Sequence, residues 1–242
     1  GELWAALFAR DDGTQRLYLY LHDAQRVSTL HMELGGSQRL ELDAIHEEGL
    51  LPDIEKDGSR ILAFRTVLPA LDQDTLVVMR LRGRKLEKLG RVPGGRFKDI
   101  DGDGRPEIVG RDRPLGALFS VSCKSFHTMA QSAWRTTVHS LEGGRLVKTS
   151  ARHRPFYDRR IAESRRAVSA IDARATEDYG GFLGLTLSVY FDYDESGRGR
   201  EGWTQFRKLY PVRASDPEPV KRCLAQMEDA IKSRLSIPAD WR

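Results

Sequence analysis

Long apolar runs are missing from this chain of 242 residues. Nothing approaches the roughly 18–20 consecutive apolar residues that a membrane-spanning helix requires, so no transmembrane segment is expected. Cysteine is scarce: Cys123 and Cys223 are the only two, too few for a structural zinc site. None of the six histidines stands four residues from another, and His46-Glu47-Glu48 lacks the second histidine of a zinc helix. Also missing are a phosphate-binding glycine loop, a dinucleotide fingerprint and a G-x-S-x-G elbow. No catalytic residue is therefore assigned. A large excess of one charge is absent as well. Lysine plus arginine exceed the acids by 39 − 35 = 4, with a pI near 9.1, and nucleic acid is not the expected partner of so mild a balance. Hydrophobic residues at 40% and charged ones at 31% describe a chain able to bury a substantial core.

What the chain does have is an acidic loop, Asp99-Ile-Asp101-Gly-Asp103-Gly104-Arg105-Pro106-Glu107. Carboxylates at loop positions 1, 3, 5 and 9, with glycine at position 6, suit Ca²⁺, which takes oxygen ligands and needs a sharp turn to gather them. Asp99, Asp101, Asp103 and Glu107 would offer carboxylates and Arg105 its carbonyl. An EF-hand is disfavoured, because Gly110 stands at position 12 where a bidentate glutamate is needed.

A decayed copy lies 46 residues earlier, where Asp53-Ile-Glu55-Lys-Asp57-Gly58-Ser-Arg-Ile61-Leu62 aligns with Asp99 to Ile108. It keeps the acids at positions 1, 3 and 5 and the glycine at 6, but has Ile61 at position 9. A fainter copy runs from Asp12 to Leu17, 45 residues before the matching Asp57-Gly58 to Leu62. A spacing near 45 residues is that of propeller blades. Only the third copy retains a full set of acids.

The segment Gly94-Gly-Arg-Phe97-Lys-Asp99-Ile-Asp101-Gly-Asp103-Gly104-Arg-Pro-Glu107-Ile-Val109 resembles the FG-GAP/VCBS repeat, the blade unit of integrin-type β-propellers. The resemblance covers about twenty residues and fades on either side. It implies a structural Ca²⁺ held in a loop between two strands of a blade. One departure is Glu107, where the family usually has aspartate. The stretch Gly144 to Tyr157 resembles the segment found after such repeats in some bacterial exported proteins of unassigned function.

Strands are expected at Arg16–His22, Gln38–Asp43, Thr75–Leu81, Leu118–Ser122, Trp134–His139 and Arg145–Lys148, from their alternation and β-branched content. Turns are expected at Gly35-Gly36, Arg82-Gly83 and Gly143-Gly144. Beyond residue 150, Tyr157, Ile161, Ser164, Val168 and Ile171 follow helical spacing behind Pro155. Leu183–Phe191 and Trp203–Tyr210 are expected to form a long hairpin, with Asp192–Gly197 as its solvated tip. A last helix should start with Asp216 as N-cap and Pro217 at its first position, and end at Pro238. Its apolar stripe is Val220, Cys223, Leu224, Met227, Ile231 and Leu235.

The expected fold is mainly β, α+β overall. Partial or irregular propeller-like repeats would occupy 1–150. An α+β region over 151–242, packed on the repeats, would hold a helix, a long β-hairpin and a C-terminal packing helix. Cys123 and Cys223 are either a disulfide or two buried thiols. A disulfide would close a loop of about 100 residues, contributing about 4–5 kcal/mol.

Arg152, Arg154, Arg159, Arg160, Arg165 and Arg166, flanked by Lys148 and Arg174, make a basic stretch suited to a polyanion. The expected function is a non-catalytic, exported binding or scaffold protein with one structural Ca²⁺. Its partner would be another protein or a polyanionic ligand, and its place periplasmic or extracellular, where millimolar calcium fills weak sites. The alternatives are a hydrolase with a loop-assembled site and an anion-binding module on residues 148–174.

Overall fold

A computed structural model describes residues 2–11, 14–22, 24, 27–34, 39–42, 52–68, 73–116, 120–123, 126–129, 133–171, 179–209 and 215–241. Gly35-Gly36, Asp12-Gly13, Leu118-Phe119, Arg174 and Tyr210 lie outside these residues. The chain forms two compact units, 1–110 with 138–148, and 111–137 with 149–242. Among the described residues, strands and four helices together make it α+β. Among the described residues, no helix is long and apolar enough to cross a membrane.

Antiparallel meanders dominate the first unit. β1 (Glu2–Ala9), β2 (Gln15–His22) and β3 (Val27–Leu34) make a three-stranded sheet. β4 (Arg39–Leu42), β5 (Arg60–Leu68), β6 (Gln73–Arg82) and β7 (Lys85–Pro93) make a four-stranded one, ordered as in the sequence. A second four-stranded sheet contains β8 (Arg96–Lys98) and β9 (Glu107–Asp112), joined by β12 (Arg135–Glu142) and β13 (Arg145–Lys148) in the order β13-β12-β9-β8. β10 (Ser120–Cys123) and β11 (Phe126–Met129) form a two-stranded ribbon. Gly83 and the Gly143-Gly144 pair close the β6–β7 and β12–β13 hairpins with positive φ, the conformation that glycine adopts without a Cβ clash.

Alternation explains the first unit's core. Leu17, Leu19 and Leu21 of β2 are buried on one face, and Leu17 and Leu19 join Leu40, Leu62, Phe64, Val77 and Met79 in one apolar cluster. The opposite faces of β5 and β6 carry Ile61, Ala63, Leu76 and Val78 into a second cluster with Ile54, Val92 and Ile108. Because both faces of these strands are covered, they read as nearly continuous apolar runs.

Two of the acidic stretches seen in the sequence fall at comparable places: the one at 53–59 precedes β5 after β4, and the one at 99–106 joins β8 to β9. In both cases the stretch lies between two antiparallel partners. Among the described residues no closed ring of blades forms.

In the second unit, α1 (Arg154–Ser169) follows the expected periodicity, with Pro155 in its first turn and Tyr157, Ile161 and Val168 buried. The expected β-hairpin is instead two helices, α2 (Tyr179–Glu195) and α3 (Gly199–Leu209). The physical reason is burial of α2 on nearly all sides. Leu183, Leu187, Val189, Tyr190, Phe191, Asp192 and Tyr193 are all buried. An apolar run without a polar face shows no period, and only its length of 17 residues distinguishes it from a strand. The expected solvated tip is corrected as well: Asp192, Glu195 and Ser196 are buried at the end of α2. α4 (Glu218–Leu235) carries the expected stripe, with Cys223, Leu224, Met227 and Ile231 buried. Its N-cap is Pro217 rather than Asp216, and it ends at Leu235 with Ser236 left-handed, before Pro238 is reached.

Aromatic packing holds α2 and α3 together. Trp203 meets Tyr190 edge-on at 5.6 Å and stacks on Phe206 at 4.9 Å, geometries that add to area burial. Gly202 lets the two helices approach. A Cβ there would overlap the Tyr193 Cβ and sit 3.1 Å from the Tyr190 carbonyl oxygen. Gly202→Ala is therefore expected to destabilise the chain by about 2 kcal/mol through overpacking, despite alanine's better helix propensity. Urea unfolding monitored by tryptophan fluorescence reads this directly.

Cys223 is disulfide-bonded. The only other cysteine of the chain, Cys123, ends β10, a strand that α4 touches.

Candidate metal centre

The loop from Asp99 to Glu107 is shaped by its own side chains before any ion is considered. Asp99 accepts the Gly102 amide at 2.7 Å through Oδ1 and the Gly104 amide at 3.0 Å through Oδ2. The Arg105 amide donates to Asp103 Oδ1 at 2.7 Å. Gly102 and Gly104 have φ of +81° and +80°, a region that side chains with a Cβ avoid. Ile100 is buried and anchors the loop from below, and its amide donates to Glu107 Oε2 at 3.1 Å.

That folding brings Asp99, Asp101 and Glu107 together, with one carboxylate oxygen of each within 4.8 Å of the others. Oxygens that share one cation at 2.3–2.6 Å are at most about 5 Å apart, so a single hard ion can span all three. Asp99 and Asp101 are exposed, whereas Glu107 is only 6% exposed. Each Asp99 oxygen has a second lone pair left for an ion after accepting an amide. The donor set, carboxylates alone, fits a hard cation rather than a soft one. Asp103 and Arg105 stay exposed on the rim of the loop.

The earlier loop supplies the comparison. Asp53 accepts the Asp57 amide at 3.0 Å and the Gly58 amide at 2.9 Å, and Asp57 accepts the Ser59 amide at 2.9 Å. Gly58 has φ +81°, matching Gly104, and Lys56 has φ +56° at the position of Gly102. The backbone plan is the same in both loops. The fate of the acids is not. Glu55, opposite Asp101 in the alignment, accepts the Gly144 amide at 2.9 Å. Asp57 pairs with Arg82. The Ser59 hydroxyl and amide, with a smaller part from Arg82, hold its carboxyl down at about 2. Ile61, at the place of Glu107, is in the core. Both loops border one open cavity of about 530 Å³, lined on one side by Asp53, Ile54 and Lys56 and on the other by Phe97, Asp99, Asp103 and Arg105.

The arginine stretch does not gather into one face. Arg152 lies in a short 3-10 turn, and Arg154 opens α1. On the helix, Arg159 and Arg166 share a side with Glu163 between them, while Arg165 points elsewhere. Arg160 is turned inward and donates from Nε to Asp192 Oδ1 at 3.1 Å. Sequence reasoning missed that buried carboxylate, and also the two-pronged pair in which Arg135 donates to Asp112 at 2.9 and 2.6 Å. The i, i+3 spacing of Asp192 and Glu195 on an otherwise apolar segment was the available signal.

No protein-family model, no curated protein and no solved structure matches this chain.

Proposed function

We propose that this is a non-catalytic, exported binding or scaffold protein. Its Asp99–Glu107 loop would hold one structural Ca²⁺ within an irregular, FG-GAP/VCBS-like array of β repeats. The observation that carries this reading is the contrast between two loops of one backbone plan. In the earlier loop the acids are drawn apart by protein groups or replaced, and in the later one they converge. Asp99, Asp101 and Glu107 would ligate the ion, with Asp103 and the Arg105 carbonyl completing the set. Bound calcium would neutralise three clustered charges and clamp the β8–β9 connection. The placement of the two described acidic stretches, each between antiparallel partner strands, supports the repeat reading. The disulfide at Cys223 supports an oxidising compartment, where such bonds persist.

Thermal unfolding in Ca²⁺ and in chelator tests the site. A ligand that binds only the folded state, at a hundredfold excess over its Kd, stabilises by about 2.7 kcal/mol, or roughly 5–10 °C for a chain of this size. Wild type should lose that increment in chelator, and Asp101→Ala should show none to lose. A wild-type melt indifferent to chelator would sink the proposal.

A further inference from the structure

β1 is an edge strand, paired only with β2 among the described residues. Natural edge strands are blunted by charges, proline or bulges, because their free amides and carbonyls accept any strand that fits. β1 has none of these devices along its central run. From Leu3 to Ala9 the sequence Leu-Trp-Ala-Ala-Leu-Phe-Ala is uncharged and unbroken, and its pairing with β2 runs without a register shift. Trp4, Leu7 and Phe8 are large, apolar and about half exposed.

The occupant is named by the charges and sizes along the strand. Two copies of β1 pairing edge to edge, antiparallel, about a two-fold axis normal to the sheet keep each face on its own side, so residues of equal parity oppose each other. Centred on Ala6, that register sets Trp4 against Phe8 of the other copy and Ala6 against itself. Glu2 then faces Arg10, twice. Alanine on the axis leaves room for the flanking rings. The same face already carries aromatic contacts, with Trp4 stacked on His22 at 4.7 Å and Phe8 edge-on to Tyr18 at 5.5 Å, so the Trp4–Phe8 pair would extend a row that exists. We propose that β1 is a self-association edge, joining two copies of this chain into one continuous six-stranded sheet.

Sedimentation velocity over a range of protein concentrations tests this on the whole chain. Wild type is expected to dimerise reversibly. Glu2→Arg or Arg10→Glu alone places like charges opposite each other at both ends, and Ala6→Lys does so on the axis. Each should weaken the dimer roughly tenfold or more. The double variant Glu2→Arg/Arg10→Glu restores opposite charges and should recover the dimer, which a general loss of folding would not do. A chain that stays monomeric at every concentration overturns the proposal. So does a dimer that is untouched by all three single variants.

Discussion

Reduction of the chain under native conditions is expected to lower its unfolding free energy by about 4–5 kcal/mol. Cys223 is buried on α4 and disulfide-bonded. Pairing it with Cys123 closes a loop of 223 − 123 = 100 residues. A cross-link of that span removes much of the unfolded chain's freedom while leaving the native packing as it was. Denaturant curves with and without reductant measure the difference, and Cys223→Ser should match the reduced wild type. Adding Cys123→Ser to Cys223→Ser should change little further, because one bond is lost in either case. Intact mass after alkylation provides the direct check: no adduct is expected before reduction, and two are expected after it. Adducts on the unreduced chain would show that the pair is not formed.

The second large effect concerns pH. Asp192 is fully buried on α2, and burial pushes its carboxyl up to about 6 from an ordinary value of 3.8. The ion pair to Arg160 on α1 opposes that rise, and the charge of Glu195 on α2 adds to it. Tyr157 of α1 belongs to the same neighbourhood: its hydroxyl donates to the Thr136 carbonyl at 2.9 Å, and its own ionisation is pushed upward, mainly by burial. Between about pH 4 and 6 the unfolded chain has released the Asp192 proton while the folded chain retains it, so this group's contribution to stability falls as pH rises. A displacement of about two pH units corresponds to about 3 kcal/mol, present below the window and lost above it. Asp192→Asn cannot ionise. Its stability relative to wild type should therefore climb by about 3 kcal/mol from acid to neutral pH, and urea midpoints across that range measure it. A flat difference would mean that the carboxylate is solvated well enough to titrate normally.

Elements with one wet face were legible in the sequence, and those without one were not. β2 shows alternating leucines because its other side is half open. α1 and α4 show their stripes because charged residues mark the opposite surface. α2 hides its period, since apolar residues face every neighbour and valine, tyrosine and phenylalanine suggest a strand. Composition alone assigns the polar residues at its end to solvent, yet Arg160 and Arg135 lie within reach of Asp192 and Glu195. Those partners come from α1 and β12, distant in sequence. The candidate metal loop was readable because all its donors are local and its spacing alone sets their direction. What the sequence did not show was that Glu55 and Asp57 of the earlier copy are bonded to Gly144 and Arg82. These contacts depend on a hairpin and a strand that fold against the loop.

The pair of loops also gives the molecule an internal reference. Residues 53–61 and 99–107 share their turns, their left-handed positions and their buried isoleucine, so a solvent or temperature change should act on both alike. An ion should act on one. In a spectrum that resolves the amides of Gly58 and Gly104, each beside its own position-1 aspartate, the difference between the two responses isolates the ligand's effect from everything else that moves the fold.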